Sequence, residues 1–282
     1  MIKRILIPLD PSPYTETALE IGCTLAKQNG AELTGLVVLD IPGIEKSIGP
    51  VPLGGFYYAE RLEKAKEDEA REHIQSLLAR FKEKCEKEGV GHREAQSQGS
   101  PSEQIIKESI YYDVVLIGLR TYFHFETRDK PGDSLDEVLD HSITPIYGVP
   151  EKFSLPDISR DKIKVLIAFD GSLPSARALQ RFAQLAVPDI MEVILLTSNP
   201  DQAEADYHLG QAEAYLNAHS IDNIKTVWTT QDIIEAMEEK YLDWASIVVV
   251  GVHSKKGLFD FMLGSLTRYL IEAAKKPVLI GQ

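Results

Sequence analysis

Lys162-Ile163-Lys164-Val165-Leu166-Ile167-Ala168-Phe169-Asp170-Gly171-Ser172 decides the fold, because the chain has already begun once in the same way. Lys3-Arg4-Ile5-Leu6-Ile7-Pro8-Leu9-Asp10-Pro11-Ser12 opens it, and at an offset of 160 residues Leu6, Ile7, Asp10, Ser12, Ala18 and Leu19 recur as Leu166, Ile167, Asp170, Ser172, Ala178 and Leu179. A second echo lies near the end of each half. Asp113-Val114-Val115-Leu116-Ile117-Gly118 matches Ser246-Ile247-Val248-Val249-Val250-Gly251 at offset 133, and Thr144-Pro145-Ile146 matches Lys276-Pro277-Val278 at offset 132. Internal repetition on this scale means two copies of one domain. The offset falls from 160 to 133, so the first copy carries 27 extra residues. Ile41 to Ala59, rich in Gly and Pro, reads as a loop that supplies much of them. Glu151 to Asp161, containing Pro156, reads as a linker, which sets the domains at 1–150 and 161–282.

Each copy alternates short apolar runs with helical patterns. In the first, Ile5–Leu9, Leu33–Leu39, Val114–Ile117 and Ile146–Val149 read as strands, and Thr15–Gln28, Glu60–Glu88 and Ser102–Tyr111 as helices. Ile74, Leu77, Leu78, Phe81 and Cys85 form one apolar stripe of the long helix, which Gly89 ends. In the second, Val165–Phe169, Val193–Thr197, Ile224–Thr229, Ile247–Val250 and Val278–Ile280 read as strands. Pro174–Ala186, Ala203–Ala218, Gln231–Trp244 and Ser265–Lys275 read as helices. Near-continuous apolar strands alternating with helices predict a parallel α/β sheet covered on both faces, with right-handed crossovers. Ligands bind such sheets beyond the strand carboxyl ends. Asp10, Asp170, Gly118 and Gly251 all stand there.

The chain has 282 residues, 44% hydrophobic and 26% charged, which fits a globular protein of about two domains. No apolar run is long enough to span a membrane. With 30 basic against 43 acidic residues the net charge is −13, which argues against nucleic-acid binding. It leaves room for one nucleotide held by backbone N–H groups. Cys23 and Cys85 form no CxxC and no disulfide framework; they read as buried free thiols of a reducing cytoplasm, and no signal-peptide pattern opens the chain. The histidines show no metal-ligand spacing.

The candidate site is Gly251-Val252-His253-Ser254, nine residues, then Gly264-Ser265-Leu266. A strand ending in Gly admits a ligand close to the backbone. Ser265 opens an amphipathic helix whose free N–H groups and dipole favour an anion. Taken alone, Gly264 also suits a plain turn and Ser265 a plain N-cap; with Asp170-Gly171-Ser172 at a neighbouring strand end, a ligand site is the stronger reading. In the first copy Thr121 stands at the position of Ser254, the interval is one residue longer, and Gly132-Asp133 replaces Gly264-Ser265. A carboxylate there satisfies the helix dipole and repels phosphate. The first site is therefore expected not to hold a phosphate; the alternative is that its pocket takes another small ligand.

Both copies resemble the universal stress protein family in its tandem form. The resemblance rests on the strand-Asp-x-Ser opening and on Gly-x2-Gly-x9-Gly-Ser/Thr, which Gly251, Gly264 and Ser265 match and Ser254 departs from at the second Gly. It implies two tandem Rossmann-like (adenine nucleotide alpha hydrolase-like) α/β/α sandwiches, each with a five-stranded parallel sheet. It implies ATP, with Mg as its counterion, in the second domain. Asp170 would contact the adenosine, Gly251 would lie near the ribose, Gly264 and Ser265 would hold phosphates, and Leu196 and Thr197 would lie near the adenine. His253, Ser254 and Leu266 complete the set, with no catalytic residue and no metal ligand. It also implies last-strand pairing of the two halves and a homodimer of chains. No P-loop, dinucleotide fingerprint or serine-hydrolase elbow is present, so fast catalysis is not expected. The expected role is ATP-dependent stress signalling with unknown protein partners. The alternative is a scaffold that binds no nucleotide and works through dimerisation and partner contacts.

Overall fold

A computed structural model of the chain describes residues 2–52, 54–121, 133–154, 156, 161–252 and 263–281. The chain divides into two compact units, Ile2–Ser142 and Ile143–Gln282.

The first unit runs β1 (Arg4–Pro8), α1 (Tyr14–Asn29), β2 (Glu32–Leu39), α2 (Ile41–Ile48), α3 (Phe56–Glu88), β3 (His92–Gln98), α4 (Pro101–Ser109), β4 (Val114–Gly118) and α5 (Asp133–His141). Its sheet has the order β3-β2-β1-β4, all parallel. β4 is buried at every residue and β1 at all but its first. Successive side chains alternate between faces, so burial throughout means that both faces are covered. α1 and α3 end on Gly30 and Gly89, whose φ of 61° and 65° are left-handed and close the last turns. Phe81, fully buried on the α3 stripe, lies against β2 where residue 35 is Gly; a Cβ there would meet its ring at 2.9 Å.

The second unit runs β5 (Ile146–Val149), β6 (Ile163–Ala168), α6 (Leu173–Leu185), a 3-10 turn (Pro188–Ile190), β7 (Met191–Ser198), α7 (Gln202–Ala218), β8 (Ile224–Thr229), α8 (Ile233–Lys240), β9 (Ile247–Gly251), α9 (Ser265–Ala273) and β10 (Val278–Gly281). The sheet order is β5-β10-β9-β6-β7-β8. Five strands are parallel, and β5 joins β10 antiparallel, with Val278 opposite Gly148 and Ile280 opposite Ile146.

The parallel α/β architecture agrees with expectation, and three details correct it. The expected five strands per sheet become four in the first unit and six in the second. β5, the last strand of the first copy, satisfies the backbone edge that β10 would otherwise leave bare. β3 was not anticipated, because its sequence is almost wholly polar. The expected loop Ile41–Ala59 contains α2 and the first turn of α3. Asp40 caps α2 by accepting from the Gly43 N–H at 3.0 Å, and Pro42 sits in the first turn, where a missing N–H costs nothing.

Candidate functional site

Strand ends and helix starts converge on one cavity of about 300 Å³ in the second unit. β6 supplies its floor and leads into Phe169 and Asp170; β7 supplies Leu196 and Ser198; β9 supplies Val250 and Gly251. The start of α9 closes one side with Gly264, Ser265, Leu266 and Thr267, and Asp232 and Ile233 at the start of α8 close another. Of the residues singled out in the sequence, Asp170, Leu196, Gly251, Gly264, Ser265 and Leu266 line it together. Thr197 is buried but absent from the lining. Strand alternation turns it to the opposite face from Leu196 and Ser198, so Ser198 was the residue that a period of two pointed to. His253 and Ser254 lie outside the described residues.

Asp170 is held by the turn that follows it. The Ser172 N–H and hydroxyl both donate to its Oδ1, at 3.0 and 2.5 Å. Gly171 takes φ +72°, and a Cβ there would also collide with the His208 ring at 2.5 Å. The left-handed φ favours glycine, and a side chain there would also have to displace His208. Ser172 caps α6, accepting from the Ser175 N–H at 3.4 Å. Gly251 has its own packing reason: a Cβ would stand 2.5 Å from the carbonyl carbon of Pro174. The strand end thus passes directly under the first turn of α6.

Across the cavity, the Gly264 N–H donates to the Val252 carbonyl at 3.0 Å, and the Thr267 hydroxyl donates to the Gly251 carbonyl at 2.8 Å. These two bonds pin the start of α9 to the end of β9. Among the described residues no side chain caps α9, so its first N–H groups, at Ser265 and Leu266, are donors without a helical partner. They are aligned with the positive end of the helix dipole. No Lys, Arg or His lines the cavity among the described residues, whereas Asp170 and Asp232 do. Asp232 is partly committed, accepting from the N–H groups of Ile234 and Glu235 at 2.9 and 3.3 Å. An anionic group would therefore find its partners in backbone N–H and hydroxyl groups rather than cationic side chains. A polyphosphate would need a cation as well. The volume lies at the low end of the range for small-ligand pockets, roughly 300–1,000 Å³.

The corresponding place in the first unit differs in kind. Asp10 is 1% exposed, whereas Asp170 is half-buried. The hydroxyls of Ser12 and Thr15 each lie 2.7 Å from its Oδ1, and Thr121 donates to its Oδ2 at 2.5 Å. Thr121 is the residue that stands in place of the second Gly, and its hydroxyl is what occupies the carboxylate. Tyr14, the counterpart of Pro174, packs on Gly118, where a Cβ would stand 2.5 Å from its own Cβ. Asp133 begins α5; Gly132 lies outside the described residues, as does the Asp133 side chain. Among the described residues no cluster of His, Cys, Asp and Glu could hold a metal ion. No described helix is long and apolar enough to cross a membrane.

The family model described as "Universal stress protein family" matches residues 1–124 and 200–281. Among solved structures, a universal stress protein from Archaeoglobus fulgidus DSM 4304 is similar with a TM-score of 0.71 and 21% identity, covering 99% of this chain and 98% of that one. A protein from Pseudomonas aeruginosa PAO1 has a TM-score of 0.60 and 14% identity, covering 99% of this chain and 92% of that one. No curated protein matches the sequence.

Proposed function

The chain belongs to the universal stress protein family, and from that premise we propose that its second unit binds ATP and signals stress through the conformation this binding selects. The observation that carries the reading is the convergence of Asp170, Gly251 and the uncapped start of α9 on a single cavity. A strand-end carboxylate suits ribose hydroxyls, which donate to it. Leu196 and Ile233 offer apolar surface to a base. The N–H groups of Ser265 and Leu266 suit the first phosphate. Thr197, on the far face of β7, would support the base pocket from behind. His253 and Ser254, outside the described residues, would complete the phosphate side, where Mg would neutralise charge that no described cation meets. Among the described residues the site holds no acid–base pair poised on a bond, and hydrolysis would be slow and incidental. ATP would act by shifting the balance of two conformations that it binds unequally. The first unit would bind none, because Asp10 already accepts from three hydroxyls.

A native mass spectrum of the full chain with ATP and Mg tests this directly. One nucleotide per chain is expected. Two would overturn the assignment of the first unit, and none would move the reading to a scaffold that works by partner contact alone. Gly264→Asp places a carboxylate at the start of α9. It should abolish the bound nucleotide while the melting temperature stays that of the parent; retained affinity would refute the placement of the phosphates.

A further inference from the structure

Cys23 and Cys85 stand apart from the cavity. Both are free thiols, 2% and 0% exposed. Their placement follows from the register of two helices. On α1, Glu16, Glu20, Cys23 and Lys27 fall at i, i+4, i+7 and i+11, one stripe. On α3, Arg80, Lys84 and Glu88 form the facing stripe. Arg80 pairs with Glu16, Lys84 lies 4.0 Å from Glu20, and Lys27 lies 2.5 Å from Glu88. Three ion pairs taken in the same order make the helices parallel neighbours. Cys23, between Glu20 and Lys27, then falls abreast of the segment between Lys84 and Glu88, which holds Cys85. The two thiols lie close enough there for each to act on the other's proton.

We propose that Cys23 and Cys85 are a redox-active dithiol that closes to an intrachain disulfide, fastening α1 to α3, when the protein meets a peroxide or a small-molecule disulfide. Lys27, one turn along α1, and Lys84, on the facing stripe, favour a thiolate at Cys23, which makes it the attacking sulfur. The Cys85 thiol beside it, with Lys84 and Lys27 nearby, holds the Cys23 thiol below the usual range, against burial and Glu88, which act the other way. Cys23, together with burial, pushes the Cys85 thiol up. With peroxide, the Cys23 thiolate attacks one oxygen, the O–O bond breaks, and hydroxide leaves and is protonated to water. The Cys85 sulfur, giving up its proton, then attacks the sulfenic sulfur of Cys23; the S–O bond breaks and a second water leaves. Two thiols and one H2O2 become one disulfide and two waters. With glutathione disulfide the same thiolate displaces one glutathione and Cys85 displaces the other. Burial makes the reaction wait for α1 and α3 to part locally, which slows it without changing where equilibrium lies.

The test is an equilibrium. The full chain is held in glutathione buffers of graded ratio, once folded and once in concentrated urea, then quenched with acid. The disulfide is counted as a monomer lighter by two hydrogens and located by its Cys23–Cys85 linked peptide. If the fold places the sulfurs for bonding, the folded chain should favour the disulfide by about tenfold or more over the unfolded chain, about 30 mV or more in potential. Its melting temperature should rise on oxidation and return on reduction. Cys23→Ala and Cys85→Ala should each give no linked monomer. A folded chain that favours the disulfide no more than the unfolded one overturns the proposal. So does one that gives only glutathione adducts or chain-to-chain dimers.

Discussion

Gly251→Ala adds one methyl group where the chain has put backbone. The new Cβ would lie 2.5 Å from the Pro174 carbonyl carbon, 2.7 Å from its oxygen and 2.8 Å from its Cβ. Carbon atoms pack at about 3.5–4.0 Å, so β9 and the first turn of α6 must separate by about 1 Å. Pro174 cannot turn aside, because its ring fixes φ and it is built into the helix start. The contact is to main chain, so no side-chain rotation relieves it. Overpacking of this kind costs about 1–3 kcal/mol. For a domain of about 150 residues each kcal/mol lowers the melting temperature by about 2–4 °C, which gives a fall of about 2–12 °C. Asp170 and Ser172 lead into the displaced helix, so ATP affinity should fall with stability, by about tenfold if about 1.4 kcal/mol of contact is lost. Thermal melting followed by fluorescence, with ATP titrated calorimetrically into the folded variant, reads both effects. A variant that melts with the parent refutes the packing argument. If that same variant loses ATP, Gly251 serves ligand approach alone.

Further expectations follow from other residues. Thr121→Val removes the hydroxyl that donates to Asp10 Oδ2 and leaves a buried carboxylate short of one partner. Chemical denaturation should show a loss of about 1.5–3 kcal/mol, with the ATP count per chain unchanged. Gly210 is exposed within α7 and a Cβ there meets nothing within 4 Å; Gly210→Ala should stabilise by about 0.5–1 kcal/mol in the same assay. Lys27, by its hydrogen bond, holds the Glu88 carboxyl below the usual carboxylate range. A folded value below the unfolded one adds stability that is complete above the unfolded value and is lost as pH falls through the folded value. The difference in melting temperature between parent and Glu88→Gln should therefore be present near neutrality and close below about pH 4.

Much of this architecture is written in residue order. The repeat of Leu6-Ile7 with Asp10 as Leu166-Ile167 with Asp170 locates both first strands and both strand-end carboxylates, because a strand buried on two faces has few acceptable residues. β3 was invisible for the converse reason. His92–Gln98 pairs with β2 from Leu33 to Leu39 by backbone alone, and its side chains are half-buried or exposed, so no apolar period marks it. α2 is hidden by the Gly and Pro content of its segment, although Asp-x-Pro, here Asp40-Ile41-Pro42, is also how a helix begins. At the site, spacing brought out Gly251, Gly264 and Ser265. Asp232 and Ser198 come from segments with no motif and meet the cavity only through folding. The saturation of Asp10 was likewise beyond the sequence, since it depends on Thr15 and Thr121 arriving from opposite sides of one carboxylate.

The ladder between β5 and β10 is made by two strands of one polypeptide. β5 opens the second unit and β10 closes it, so their pairing is intramolecular. An intramolecular pairing has an effective concentration that does not depend on how much protein is present. Dilution, or a change in how much protein a cell makes, cannot dissociate a pairing set this way. It also removes β10 as a place where a second chain could add a strand, unless β5 first lets go. While β5 holds, a homodimer of this protein must find its seam on another surface, and its assembly can depend on concentration while the closure of this edge does not.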